Sequence, residues 1–382
     1  MPDSLDQTRQ CVFCGLCLPH CPTYGLYRDE AESPRGRIAL MQALDEARLA
    51  ADDPALARHL DRCLGCGRCE AMCPSKVPYL TLLDAARSRQ QQAAPRRLPR
   101  NARLLLAACA TPARLRLARN GLRLLRHLPL HPALLDALPR TNSALLADHR
   151  PKADPVWLFN DCMGTLLQDG RLEAAQQVLR ALGHAPRMAG EPRCCGALHA
   201  HAGQPQRAAA WSRRNATDFG SDTAPILSLA TGCGRQLAAD PELGGRHRDL
   251  LAFLAEHPRL ERLSLRSLDA IVALHTPCTD RSKGHPALSL LAHIPGLRIV
   301  RLDAGLGCCG AGGLNLLTEP EQGARLRAPL LDALEASGAT LLASANVGCT
   351  LHLAEGARAR GLAVEVLHPV ALLARQLAPG RD

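Results

Sequence analysis

Eight cysteines near the N-terminus fall into two runs of identical spacing, and these runs constrain the fold more than any other feature of the chain. The first reads Cys11-x-x-Cys14-x-x-Cys17-x-x-x-Cys21-Pro22 and the second Cys63-x-x-Cys66-x-x-Cys69-x-x-x-Cys73-Pro74. This is the spacing with which bacterial ferredoxins hold [4Fe–4S] clusters. Thiolates two residues apart reach three iron corners of one cubane from a single tight loop, and the fourth cysteine, ahead of proline, reaches the other cluster. Two [4Fe–4S] clusters are therefore expected, one on Cys11, Cys14, Cys17 and Cys73, the other on Cys63, Cys66, Cys69 and Cys21. Gly15, Gly65 and Gly67 suit loops whose amides approach inorganic sulfide closely. The competing reading, two zinc sites, calls for separated C-x-x-C hooks instead of four cysteines in one run.

With 382 residues, 47% of them hydrophobic, the chain has material for two or three domains. Aromatics make up only 2%, so the core must rest on Leu, Ala and Val. Seventeen cysteines with no signal-peptide pattern at the N-terminus argue for metal ligation in a reducing compartment, not for disulfides. No apolar run approaches the ~20 residues needed to span a bilayer. A cytoplasmic protein is expected, with peripheral attachment to the inner face of the cell membrane as a further option. The net charge of +10 suits an acidic protein or an anionic surface. Nucleic acid is the poorest fit, because base-stacking aromatics are scarce.

Four stretches follow along the chain. Residues 1–90 read as a helical ferredoxin-like domain, with a helix expected after Ser33-Pro34 that carries Leu40, Leu44 and Ala47 on one face. Residues 91–154 read as a basic helical connector in which arginines and leucines alternate and prolines, including Pro112, Pro129, Pro132 and Pro139, break the helices. Such a stretch either lies on an anionic membrane or packs on its own protein, and the second reading is favoured. Cys109 stands there among Leu and Ala, as a small buried hydrophobe would.

Residues 155–265 and 266–382 look like two copies of one α/β domain. The first copy shows strands at 156–159 and 225–229, the second at 270–274, 297–302 and 340–343, with helical stretches between them. Each copy offers four cysteines at loops or strand ends: Cys162, Cys194, Cys195 and Cys233, then Cys278, Cys308, Cys309 and Cys349. Adjacent cysteines are poorly placed to bridge each other. They can face one metal if the backbone kinks at the following glycine. The G-x-G-x-x-G of Gly305, Gly307 and Gly310 mimics a dinucleotide fingerprint, but the two copies share only Cys-Cys-Gly, so ligation explains them better. The fold class is thus α+β multidomain: a helical domain for two [4Fe–4S] clusters, then two duplicated α/β Cys-Cys-Gly domains.

With both runs and both Cys-Cys-Gly halves in view, the chain resembles the iron–sulfur subunits of bacterial glycolate oxidase almost end to end. The telling pieces are Cys21-Pro22-Thr23-Tyr24, Ser33-Pro34-Arg35-Gly36-Arg37, Cys73-Pro74-Ser75, Cys195-Gly196-Ala197 and Asn346-Val347-Gly348-Cys349. The layout is also similar to iron–sulfur subunits serving lactate or glycerol-3-phosphate oxidation and to heterodisulfide reductase subunits. The resemblance implies an oxidoreductase complex acting on a CH–OH group with a non-NAD acceptor. A flavin-binding subunit would oxidise glycolate to glyoxylate, and this chain would pass the electrons toward a quinone-type acceptor, with no catalytic residue of its own. Some relatives use a fifth cysteine per Cys-Cys-Gly half, where this chain has Ala230 and Asn346. Each half is therefore expected to hold an additional simpler cluster, a zinc ion or nothing. His199 and His201 follow the first pair closely but are not assigned as ligands. Arg35 and Arg37 are expected to dock a partner, tune a cluster or pair within their helix.

Overall fold

The computed structural model describes residues 5–95, 98–126, 154–167, 170–190 and 192–378. The later part of the connector, with Pro129, Pro132 and Pro139, lies outside the described residues. The chain divides into two compact units built from interleaved stretches. The first comprises residues up to Leu106 with Gly196–Ala210 and Cys308–Ala328; the second comprises Ala107–Cys195, Trp211–Gly307 and residues from Pro329 onward.

In the first unit, prolines open three helices, Pro22–Tyr27, Pro34–Asp45 and Pro54–Arg62. Proline suits the first helical turn, where the missing N–H would have no partner in any case. Ser33 caps the second of these by accepting from the Gly36 amide, and Asp53 caps the third from Ala55 and Leu56. Each such cap is worth about 1 kcal/mol. The helix Pro34–Asp45 turns Ile38, Met41 and Leu44 inward onto Leu56, Leu60, Leu82 and Leu83. Leu40 is only partly buried. Ala47 lies past the helix end at φ 54°, so the face expected to include it stops one turn earlier.

The same helix carries Arg37, whose side chain is 1% exposed and paired with Glu32 at 0%. Arg37 also donates to Thr23 Oγ1 (3.0 Å) and to the His59 carbonyl (2.7 Å). Arg62 (3.0 Å) and His59 (2.9 Å) complete the shell around Glu32. Arg37 therefore pairs inside the fold and offers nothing to a docking partner. Removing one member of such a buried pair costs about 3–5 kcal/mol, because the other charge is stranded. The segments Gly196–Ala210 and Cys308–Ala328 join this unit through side-chain bonds to the chain just before the second cysteine run. Asn315 donates to the Asp61 carbonyl (2.9 Å) and Gln322 to that of Arg62 (3.0 Å).

The second unit contains two four-stranded, all-parallel sheets of one topology. In the first, β1 (Asp154–Phe159), β2 (His184–Met188), β3 (Ile226–Ser228) and β4 (His247–Asp249) stand in the order β2-β1-β3-β4. In the second, β5 (Ala270–His275), β6 (Leu297–Leu302), β7 (Leu341–Ser344) and β8 (Glu365–Leu367) repeat it as β6-β5-β7-β8. The duplication is therefore one of topology as well as of cysteines. Val156 and Leu158 of β1 and Val272 and Leu274 of β5 sit in one shared core with Leu179, Leu250 and Val370. Leu115 of the connector helix Pro112–Arg126 is fully buried, and Leu122 packs by Val347 and Leu351, so this part of the connector rests on its own protein.

Candidate metal centres

The two N-terminal runs fold around two neighbouring cavities of the first unit. One, of about 450 Å³ counting its open mouth, is lined by Cys11, Cys14, Cys17 and Cys73, with Cys69 also on its wall. The other, of about 310 Å³, is lined by Cys21, Cys63, Cys66 and Cys69. The last cysteine of each run has thus crossed to the cavity formed by the other run. Cys69, Pro34 and Tyr79 belong to both walls, so the cavities share a partition.

The donor set fits iron–sulfur clusters. Each cavity gathers at least four thiols among mainly apolar side chains, the soft ligands that such clusters use. Burial pushes the Cys17 thiol up to about 11. Cys69 is pushed up by burial and by the nearby sulfurs of Cys66, Cys63 and Cys21. As free thiols these groups resist ionising; a bound metal reverses that by supplying positive charge.

Neighbouring groups address the sulfurs directly. The Tyr79 hydroxyl donates toward Cys63 Sγ at 3.5 Å, and burial together with the Cys63 sulfur raises its pKa well above the ordinary value, keeping the proton in place. Thr23 Oγ1 lies 3.3 Å from Cys21 Sγ. Arg87 donates to the carbonyls of Leu60 (2.7 Å) and Cys63 (2.9 Å), fixing the start of the second run. Thr23 was visible only as part of the Cys21-Pro22-Thr23 piece, and Tyr79 and Arg87 have no motif to announce them. Arg35 pairs with Glu30 and donates to the Phe13 carbonyl (3.2 Å), bracing the first loop. At that loop Cys14 is exposed and Val12, Phe13 and Leu16 show 69%, 44% and 57% of their surface. The first cavity therefore opens to solvent beside an apolar patch.

Cys308 and Cys309 also belong to the first unit. Burial raises the Cys308 thiol, and the sulfurs of Cys309 and Cys66 add to that effect. Gly310 takes φ 74°, and a Cβ there would stand 2.2 Å from the Gly323 carbonyl, so the kink after this pair admits only glycine. Gly196, after the other pair, takes φ 92°. His201 lies against the second run: a Cβ on Gly65 would meet its Cε1 at 3.7 Å. His199 is buried and bonds to Gln204 (3.2 Å).

In the second unit the carboxyl ends of three parallel strands deliver the first copy's cysteines, where open α/β sheets place their sites. Cys162 opens the helix after β1, Cys194 and Cys195 follow β2, and Cys233 lies in the helix Thr231–Ala238 after β3. The sulfurs of Cys162 and Cys194 are in hydrogen-bonding contact, as are those of Cys195 and Cys233. Cys162 is raised well above its ordinary value, first by a third sulfur, that of Cys109. Sequence reasoning had set Cys109 aside as a plain hydrophobe. Cys278 and Cys349 also lie in this unit, after β5 and β7.

Family models agree with this layout. The 4Fe-4S dicluster domain matches residues 7–77, and the cysteine-rich domain matches residues 156–238 and 272–354. The chain is 32% identical to the glycolate oxidase iron–sulfur subunit of Escherichia coli (strain K12), over 92% of this chain and 90% of that one. It is 30% identical to the probable glycolate oxidase iron–sulfur subunit of Bacillus subtilis (strain 168), over 93% and 90%. Lactate utilization protein A of Shouchella clausii (strain KSM-K16) is 23% identical over 56% of this chain and 95% of its own length.

Proposed function

Because the chain belongs to the family of glycolate oxidase iron–sulfur subunits, we propose that it carries electrons from a flavin-binding subunit that oxidises glycolate to glyoxylate toward a quinone-type acceptor. The observation that carries this reading is the crossing of Cys21 and Cys73 between two cavities that share one wall. Cys11, Cys14, Cys17 and Cys73 would hold one [4Fe–4S] cluster, and Cys63, Cys66, Cys69 and Cys21 the other. Such clusters supply one-electron transfer at potentials set by hydrogen bonds, charge and exposure.

The chain's own residues set those conditions. Tyr79 donates to a ligand sulfur of the second cavity, while the buried Arg37 brings positive charge beside Cys63 and Cys21. Both features stabilise added negative charge and favour a higher potential there. The exposed Val12, Phe13 and Leu16 offer a contact surface where a redox partner can approach the first cavity. No acid or base is required of any side chain, so the isolated subunit would not turn glycolate over. Among the described residues no helix is long and apolar enough to cross a membrane, and attachment to one would run through partners or the basic connector.

The first copy's Cys-Cys-Gly cysteines, Cys162, Cys194, Cys195 and Cys233, all within the second unit, would hold additional metal. Co-expression with a flavin-binding partner tests the reading. Glycolate-dependent reduction of a soluble quinone should require this chain and fail with Cys66→Ser. Undiminished reduction without the chain, or no association with any flavoprotein, would refute it.

A further inference from the structure

The sulfur group of the second unit, buried but for the half-buried Cys233, has one member more than the first copy's four cysteines. Cys109 comes from the turn between the helices Arg100–Ala108 and Pro112–Arg126, outside the stretch matched by the cysteine-rich domain. Its side chain is 0% exposed and its sulfur meets that of Cys162, which in turn meets Cys194. Cys195 and Cys233 form the adjoining contact, and Cys233 lies close enough to Cys162 to act on its charge.

One helix pins both sides of this group. Trp211 Nε1 donates to the Cys109 carbonyl (3.0 Å), and Asn215 Nδ2 donates to the Cys194 carbonyl (3.0 Å). Trp211 and Asn215 are four residues apart on the helix Pro205–Phe219, hence on one face of it. Both are at least nine-tenths buried. A cysteine serving only as a small hydrophobe has no need of a backbone tether matched to that of a neighbouring thiol.

We propose that Cys109 is the fifth thiolate of a polynuclear iron–sulfur centre in the second unit, together with Cys162, Cys194, Cys195 and Cys233. Five thiols exceed the four that a tetrahedral zinc ion accepts, whereas a multi-iron cluster presents further corners. Arg171, the cation near Cys233, is paired with Asp161, so the positive charge that five thiolates require comes with the metal. Each thiol that ligates releases one proton to solvent. The inference rests on the proposal that the first copy's cysteines bind metal and adds a ligand to it.

The test uses the full chain, reconstituted anaerobically with ferrous iron and sulfide. Iron per chain and the Mössbauer spectrum are compared for the native chain, Cys162→Ser and Cys109→Ser. The native chain should hold iron beyond the ~8 atoms of two [4Fe–4S] clusters. Cys162→Ser should lose that excess, and Cys109→Ser should lose it or alter its spectrum while the N-terminal signals persist. If Cys162→Ser removes the excess and Cys109→Ser leaves it unchanged, the fifth ligand is refuted and metal binding by the four stands. If the native chain holds no excess iron, both fail. A chain with selenium in place of the Cys109 sulfur decides the matter even where Cys109→Ser does not fold. The selenium absorption edge should report an iron neighbour, and carbon neighbours alone would overturn the proposal.

Discussion

The two sulfur-rich regions differ in how they meet solvent. The first N-terminal cavity opens through the Cys14 loop, ringed by Val12, Phe13 and Leu16. The sulfur group of the first Cys-Cys-Gly copy is more enclosed: Cys109 and Cys194 are 0% exposed and Cys162 is 3%, with only Cys233 half-buried among its members. Electron exchange between proteins falls off with distance, so an open, apolar-rimmed site suits contact with a partner. A closed one suits storage of charge or a structural metal. The regions also differ in what holds the sulfurs. Loops of two short runs, Cys11–Cys21 and Cys63–Cys73, gather them in the first unit, whereas the ends of three parallel strands and a connector turn gather them in the second. Replacing a cysteine of the first region should therefore erase a local centre. In the second, the sheet should survive the loss of one thiol.

The sharpest break of this contrast is Cys66→Ser beside Cys233→Ser. Cys66→Ser should lose ~4 irons and loosen the first unit, because ligand binding energy is folding energy there. Cys233→Ser should keep the N-terminal signals at full strength. Equal damage to those signals from both variants would show that the two regions do not behave independently.

A smaller effect is expected at Glu32, where Glu32→Gln leaves Arg37 buried without its counter-charge. Urea unfolding should report a loss of about 3–5 kcal/mol. A loss below 1 kcal/mol would mean that the network around Glu32 is solvated, and that the second cavity is as open as the first.

The closed region also predicts a pH response. Burial lowers His368 to about 3 and His247 to about 4. His368 Nε2 donates to the Leu229 carbonyl (2.8 Å) while its Nδ1 accepts from the Val370 amide (3.1 Å), a pattern that only the neutral ring can make. The unfolded chain therefore binds these protons first, near pH 6.5, and stability is lost as pH falls from there through about 4. Asp249, raised by burial to about 6, acts in the opposite direction between pH 4 and 6, one group against two. Trp157 and Trp211 are the chain's two tryptophans and both lie in the second unit, so their fluorescence reports it selectively. The fluorescence melting point should fall on acidification, and His368→Gln should flatten the slope. A melting point independent of pH over this range would contradict the burial argument. The smallest effect is Ser33→Ala, expected to cost about 1 kcal/mol of the first unit's stability through its lost helix cap.

How much of this was legible in the sequence follows the same divide. The N-terminal spacing announced two tight thiol loops, because each loop is local, and the proline after Cys21 and Cys73 announced that these two line the opposite cavities. Strands β1, β3, β5, β6 and β7 were also legible, being apolar runs. Strands β2, β4 and β8 were not: their sequences, HAPRM, HRD and EVL, are short or polar, and all three stand at sheet edges where one side needs no partner. For Arg37 the sequence leaves docking, cluster tuning and pairing within the helix all open, because nothing in the motif tells that Glu32 and Thr23 fold over it. Cys109 carried no signal, since its neighbour Cys162 reaches it only through the fold of the sheet.

The central claim is a two-cluster electron path in the first unit, and iron and sulfide content with paramagnetic resonance of the anaerobically reduced chain tests it most directly. The account predicts at least ~8 irons per chain and two magnetically interacting [4Fe–4S] signals, as neighbouring clusters across a shared wall should give. Stoichiometric zinc with no iron, or two signals with no interaction between them, would contradict it.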